Sequence, residues 1–128
     1  MENTTRTTII GGLIALLIII GFLVYAGGTS GAPGKLDGFA QCLKDKGVTF
    51  YGAFWCPHCQ NQKALFGSSK KYLPYVECST PDGQGQTEIC KEKGIKNYPT
   101  WVFPDMSSTT GEVALEVLSE KSACSLPQ

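Results

Sequence analysis

Apolar and polar positions change period several times along the chain. Residues 9–26, "IIGGLIALLIIIGFLVYA", have no polar period and no charge. Residues 27–34, "GGTSGAPG", have no apolar period and read as a flexible linker. From Leu36 the apolar positions Leu36, Phe39, Ala40 and Leu43 fall at helical spacing, with Asp37 as the cap and Gly47 as the stop. "VTFYGAF" (Val48–Phe54) is β-branched and aromatic and predicts a buried strand. "CPHCQNQKALFGSS" predicts a helix with Pro57 in its first turn and Gly67 near its end. Leu73–Ser79 predicts a second strand, "TPDGQGQ" a loop, and "TEICKEKGI" a short helix capped by Thr87 and stopped by Gly94. Tyr98–Pro104 predicts a third strand, "DMSSTTGEV" a turn with a short fourth strand, and Ala114–Ala123 a final amphipathic helix. Strands alternating with helices in this order imply an α/β domain, a mixed sheet with helices on both faces.

The uncharged run at 9–26 would make about 27 Å of helix, close to the hydrocarbon thickness of a bilayer. It predicts one N-terminal transmembrane helix. The organisation expected is residues 1–8 as a cytoplasmic N-terminus, 9–26 as the anchor, 27–34 as the linker and 35–128 as the folded domain. Arg6 and the terminal amine precede the run, and the first cation after it is Lys35, a weak positive-inside bias toward an extracytoplasmic domain. A cleaved signal peptide ending at Val24-Tyr25-Ala26 is the alternative, and the length of the run favours the uncleaved anchor. Both readings export the domain to a compartment where disulfides persist.

Composition narrows the chemistry. The chain has 128 residues, with 11 basic and 11 acidic side chains and a formal charge of zero. This balance speaks against a nucleic-acid partner. The six cysteines are an even count, as an exported disulfide protein would have. Cys56 and Cys59 form a C-P-H-C motif where the first predicted strand turns into a helix. As a plain staple, a bridge of this span removes little chain entropy. As a zinc knuckle it lacks partners: Cys78 and Cys90 make no second C-x-x-C, and His58 is the one histidine. No metal and no cofactor are expected. Redox chemistry fits the position. Cys56 sits at a helix N-terminus, where unpaired N–H groups and the macrodipole favour a thiolate and make it the attacking sulfur. Cys59, one turn on, can resolve a mixed disulfide. A His58 proton near the Cys56 sulfur would stabilise the reduced pair and make it a stronger oxidant.

"FWCPHC" after an apolar strand, with "YPT" about forty residues later, resembles the thioredoxin superfamily. The C-P-H-C centre is similar to that of the bacterial disulfide oxidant DsbA. More widely, Leu36–Ala123 resembles the thioredoxin-like domain fused to bacterial vitamin K epoxide reductase homologues, here with one anchor in place of the quinone-reducing part. The resemblance implies a thioredoxin fold, a cis Tyr98–Pro99 peptide facing the Cys pair, and a structural bridge between Cys78 and Cys90. It also implies first and last helices on opposite faces of the sheet, which argues against a bond between Cys42 and Cys124. Thioredoxin has a buried Asp six residues before the first Cys. Phe50 stands there in this chain, a departure that favours oxidant over reductant.

The expected site is therefore Cys56, Pro57, His58, Cys59 and Pro99, with Trp55, Tyr98 and Thr100 toward substrate and Trp101 in the core. The expected function is a membrane-anchored thiol–disulfide oxidoreductase of the cell envelope that introduces disulfides into exported cysteine-containing proteins. Its partner would be a membrane quinone-linked thiol oxidase of the vitamin K epoxide reductase type. The alternatives are a reductase or isomerase of the same fold, and a non-catalytic thioredoxin-fold binding module.

Overall fold

The computed structural model describes residues 12–22 and 32–128. Residues 12–22 are helical, with exposed apolar side chains that include Leu17, Ile18 and Phe22. The remainder of the expected anchor (9–11 and 23–26), together with 1–8 and most of the linker, lies outside the described residues. Among the described residues, no helix is long and apolar enough to cross a membrane.

Pro33–Gln128 forms one compact unit. Its elements are α1 (Asp37–Asp45), β1 (Thr49–Gly52), α2 (Pro57–Ala64), a 3₁₀ helix (Gly67–Tyr72), β2 (Tyr75–Glu77), α3 (Glu88–Glu92), β3 (Thr100–Val102), β4 (Ser108–Thr110) and α4 (Leu115–Ser122). The sheet order is β2-β1-β3-β4, with β1 parallel to β2 and antiparallel to β3, and β3 antiparallel to β4. This mixed sheet with helices is a thioredoxin-like α/β arrangement.

The glycine stops act as the pattern requires: Gly47 and Gly94 adopt φ of +78° and +66°, where an L side chain is disfavoured. Two predicted caps differ from expectation. Leu36 occupies the N-cap of α1, and Asp37 lies one residue inside, its Oδ2 accepting from Gly34 N at 2.9 Å. Thr87 is the N-cap of α3, but its hydroxyl donates to the Glu77 carbonyl at 3.2 Å.

Alternation along the central strands separates two cores. Phe50 pairs with Trp101 across β1 and β3, and their rings stack at 4.6 Å. With them on one face pack Phe39 and Leu43 of α1, Cys59 of α2, Phe66 at the start of the 3₁₀ helix, and Leu118 of α4. Tyr51, facing the other way, joins Cys78, Cys90 and Ile95 under α3.

This arrangement corrects one expectation. The first and last helices lie on the same face, because Phe39, Leu43 and Leu118 all bury into the Phe50–Trp101 core. Cys42 and Cys124 are accordingly bonded, with Cα atoms 5.9 Å apart. The second bridge joins Cys78 to Cys90, Cα–Cα 5.5 Å, from the end of β2 into α3.

Candidate active site

With four cysteines in bridges, Cys56 and Cys59 are the free thiols. β1 ends at Gly52, and the chain turns into α2 with Cys56 as N-cap and Pro57 as the first helical residue. Proline suits that position because its missing N–H would have no partner there and its φ is already helical. The Cys56 backbone is extended, and its Sγ accepts from Cys59 N at 3.4 Å. The sulfur therefore takes the capping place of a hydroxyl or carboxylate oxygen, on the positive end of the helix.

Cys56 Sγ also faces the Tyr98 carbonyl at 3.8 Å, and the Tyr98–Pro99 bond is cis. Cys56 is 5 % exposed, whereas Cys59 is fully buried. Burial, and then the hydrogen bond with Cys56, push the Cys59 thiol up to about 12. The two sulfurs are thus unlike: Cys56 Sγ lies just below the surface with one backbone N–H aimed at it, and Cys59 is sealed behind it.

Trp55 is half exposed beside Cys56, and its Nε1 donates to Ser79 Oγ at 2.8 Å. Its ring meets Tyr98 edge-on at 6.1 Å. Tyr98 is fixed from the far side by Gln86 Nε2, which donates to its Oη at 2.7 Å and to the Ile95 carbonyl at 2.6 Å. A Cβ placed on Gly83 would come 3.7 Å from Trp55 and 3.8 Å from Phe54. The loop closed by the Cys78–Cys90 bridge thus braces both aromatic rims of the site. Sequence reasoning assigned that loop no part in the site, and nothing in its local pattern signals Ser79 or Gln86.

Two expected site residues are placed otherwise. His58 makes its hydrogen bond away from the Cys56 sulfur: its Nδ1 lies 2.6 Å from Glu112 Oε1, and its side chain is 69 % exposed. Asn61 Nδ2 donates to the same carboxylate oxygen at 3.0 Å. These contacts, the His58 hydrogen bond first, hold Glu112 below the usual carboxylate range. Thr100 is in register with Tyr51 and is buried on the sheet face away from the Cys pair. Its Oγ1 donates to the Asn97 carbonyl at 2.8 Å and meets Thr110 Oγ1 at 3.1 Å. Trp101 is fully buried in the core.

Another residue not singled out from sequence fixes α2. Gln62 is fully buried, donating to the Val113 carbonyl at 3.0 Å and accepting from Val113 N at 2.6 Å. It pairs with that backbone as a neighbouring strand would. Among the described residues, no group of three or more His, Cys, Asp or Glu side chains could hold a metal ion.

No protein-family model matches the chain. Over 94 residues, 70% of the chain, it is 43% identical to the thiol-disulfide oxidoreductase LTO1 of Arabidopsis thaliana. The resemblance is to a thiol–disulfide oxidoreductase. The chain spans 24% of that relative's length.

Proposed function

We propose that the domain is a thiol–disulfide oxidoreductase that works through Cys56 and Cys59, and that in the cell it donates disulfides to exported cysteine-containing proteins. The observation that carries the reading is the asymmetric pair: Cys56 at a helix N-terminus within reach of the surface, Cys59 buried one turn behind it, and the other four cysteines paired. A substrate thiolate attacks Cys56 Sγ, Cys59 leaves, and a second substrate thiol resolves the mixed disulfide, leaving both cysteines reduced. The Tyr98 carbonyl, next to Cys56 Sγ, is available to an extended substrate strand. The likeness to a named thiol-disulfide oxidoreductase supports the same chemistry.

In this proposal residues 9–26 anchor the domain in the membrane, outside the cytoplasm, and a quinone-linked thiol oxidase of the vitamin K epoxide reductase type re-oxidises the pair. The test is to give the oxidised protein a reduced, unfolded disulfide protein and follow disulfide transfer. Transfer that is lost in Cys56→Ser supports the reading. Transfer that survives that change overturns it.

A reductase or isomerase is the second reading, and one observation favours it. The His58 ring nitrogen Nδ1 is engaged by Glu112, and a proton held there is not directed at Cys56 to favour a strong oxidant. The potential of the pair separates the two directions.

A further inference from the structure

The exchange step has a leaving-group problem. A sulfur leaves more slowly the more basic its thiol, and Cys59 is strongly basic in its burial. Charge appearing on it in an apolar core is costly unless a cation stands near. β1 offers no titratable group on that face, since Phe50 and Gly52 occupy it.

Other elements bring polar groups to this sulfur. A Cβ on Gly52 would lie 2.9 Å from both Cys59 Sγ and Tyr75 Cε2, so sulfur and ring edge converge over one glycine. Lys63 follows Cys59 by four residues on α2, which places it on the same helix face. Its Nζ stands 3.4 Å from the centre of the Tyr75 ring. Tyr75 Oη donates to Glu77 Oε2 at 2.7 Å. Glu77 Oε1 accepts from Phe54 N at 3.2 Å and Ser79 N at 2.9 Å. The ionisable groups around Lys63 are thus Cys59 with Cys56 on its own helix, Tyr75 and Glu77 on β2, and Lys70 on the 3₁₀ helix. Burial draws the Lys63 ammonium below the usual lysine range, while Glu77 and Cys59 oppose that shift. Such an ammonium gives up a proton more readily than a surface lysine does.

We propose that Lys63 supplies the proton to Cys59 during disulfide exchange, with Tyr75 and Glu77 positioning it. The substrate thiolate forms a bond to Cys56 Sγ, and the Cys56–Cys59 bond breaks with its electron pair passing to Cys59 Sγ. The Lys63 ammonium meets that charge and transfers a proton to the sulfur. Lys63, partly exposed, then regains a proton from water. In the reverse direction neutral Lys63 takes the Cys59 proton as Cys59 attacks the mixed disulfide. This assignment rests on the exchange reading above, and its test separates the two.

The oxidised full chain is mixed with dithiothreitol over a range of pH, quenched with acid, alkylated and weighed by mass spectrometry. Exchange by the parent tests the function; the variants relative to the parent test Lys63. Lys63→Met is expected to slow reduction at neutral pH about a hundredfold, the low end for loss of a general acid. Lys63→Arg keeps the charge and the packing but cannot pass on a proton, so it is expected to stay slower than the parent with a flattened pH profile. Lys63→Met within twofold of the parent overturns the proposal. So does Lys63→Arg matching the parent in rate and pH profile, which carries the test alone if the Met variant does not fold.

Discussion

Replacing Cys42 and Cys124 together by alanine removes the bond that joins α1 to the segment after α4. The two residues are 82 apart in sequence, so the reduced, unfolded chain recovers a long loop's worth of freedom. The chain-entropy relation puts the stabilisation lost at about 4.5 kcal/mol. A domain of this size has roughly 5–15 kcal/mol in total, so the change removes a large share without abolishing folding outright. Local hydrogen bonds still hold the C-terminal segment: Ser119 Oγ donates to the Cys124 carbonyl, and Cys124 N donates to Ser122 Oγ at 3.2 Å. Urea unfolding followed by circular dichroism, parent against variant without reductant, measures the difference. The expected loss is about 2–4.5 kcal/mol, with the lower part of the range allowing for residual structure in the unfolded chain. A loss below about 1 kcal/mol would refute the placement of α1 and α4 on one face of the sheet, joined by this bond.

Removing the Cys78–Cys90 bridge, with its separation of 12 residues, is expected to cost less, about 3 kcal/mol. It should slow exchange with protein substrates more than with dithiothreitol, because the loop braces Trp55 and Tyr98; equal slowing of both would count against that role. In the reduced protein at neutral pH, limiting iodoacetamide is expected to label Cys56 and spare Cys59, since burial pushes the Cys59 thiol up to about 12; mass mapping reads the ratio, and labelling of Cys59 first would contradict the geometry. Gly52→Ala places a Cβ 2.9 Å from Cys59 Sγ and Tyr75, so calorimetry should show a loss of about 1–3 kcal/mol from overpacking. Glu112, depressed by its contacts with His58 and Asn61, should keep its carboxylate as pH falls through the usual value near about 4.3 and lose both contacts only below it; the Asn61 amide signals in NMR report this.

Much of the architecture was legible because it is local. Glycines 47 and 94 stop helices where φ turns positive, Pro57 opens α2, and alternation in "VTFYGAF" sends Phe50 and Tyr51 into different cores. The C-P-H-C motif at a strand–helix junction marked Cys56 and Cys59 for the same reason. Features that depend on residues far apart in sequence were not legible. The partner of His58 is 54 residues away, Gln62 pairs with backbone 51 residues on, and Cys42 finds Cys124 because α1 and α4 share a core. No short-range period encodes such pairings. Lys63, Tyr75 and Glu77 each read as ordinary positions until strand register brings β2 beside Gly52, where Glu77 is its partner.

The central claim is that Cys56 and Cys59 form the redox-active pair and act as a disulfide donor. Equilibrating the intact protein in glutathione buffers of graded ratio, with alkylation and mass analysis at each, tests it most directly. The account predicts one two-electron transition confined to Cys56 and Cys59, the other four cysteines staying paired, at a potential well above the thioredoxin value of about −270 mV and toward the DsbA value of about −120 mV. A transition at or below about −270 mV would contradict the donor assignment. A pair that does not titrate at all would contradict the oxidoreductase itself.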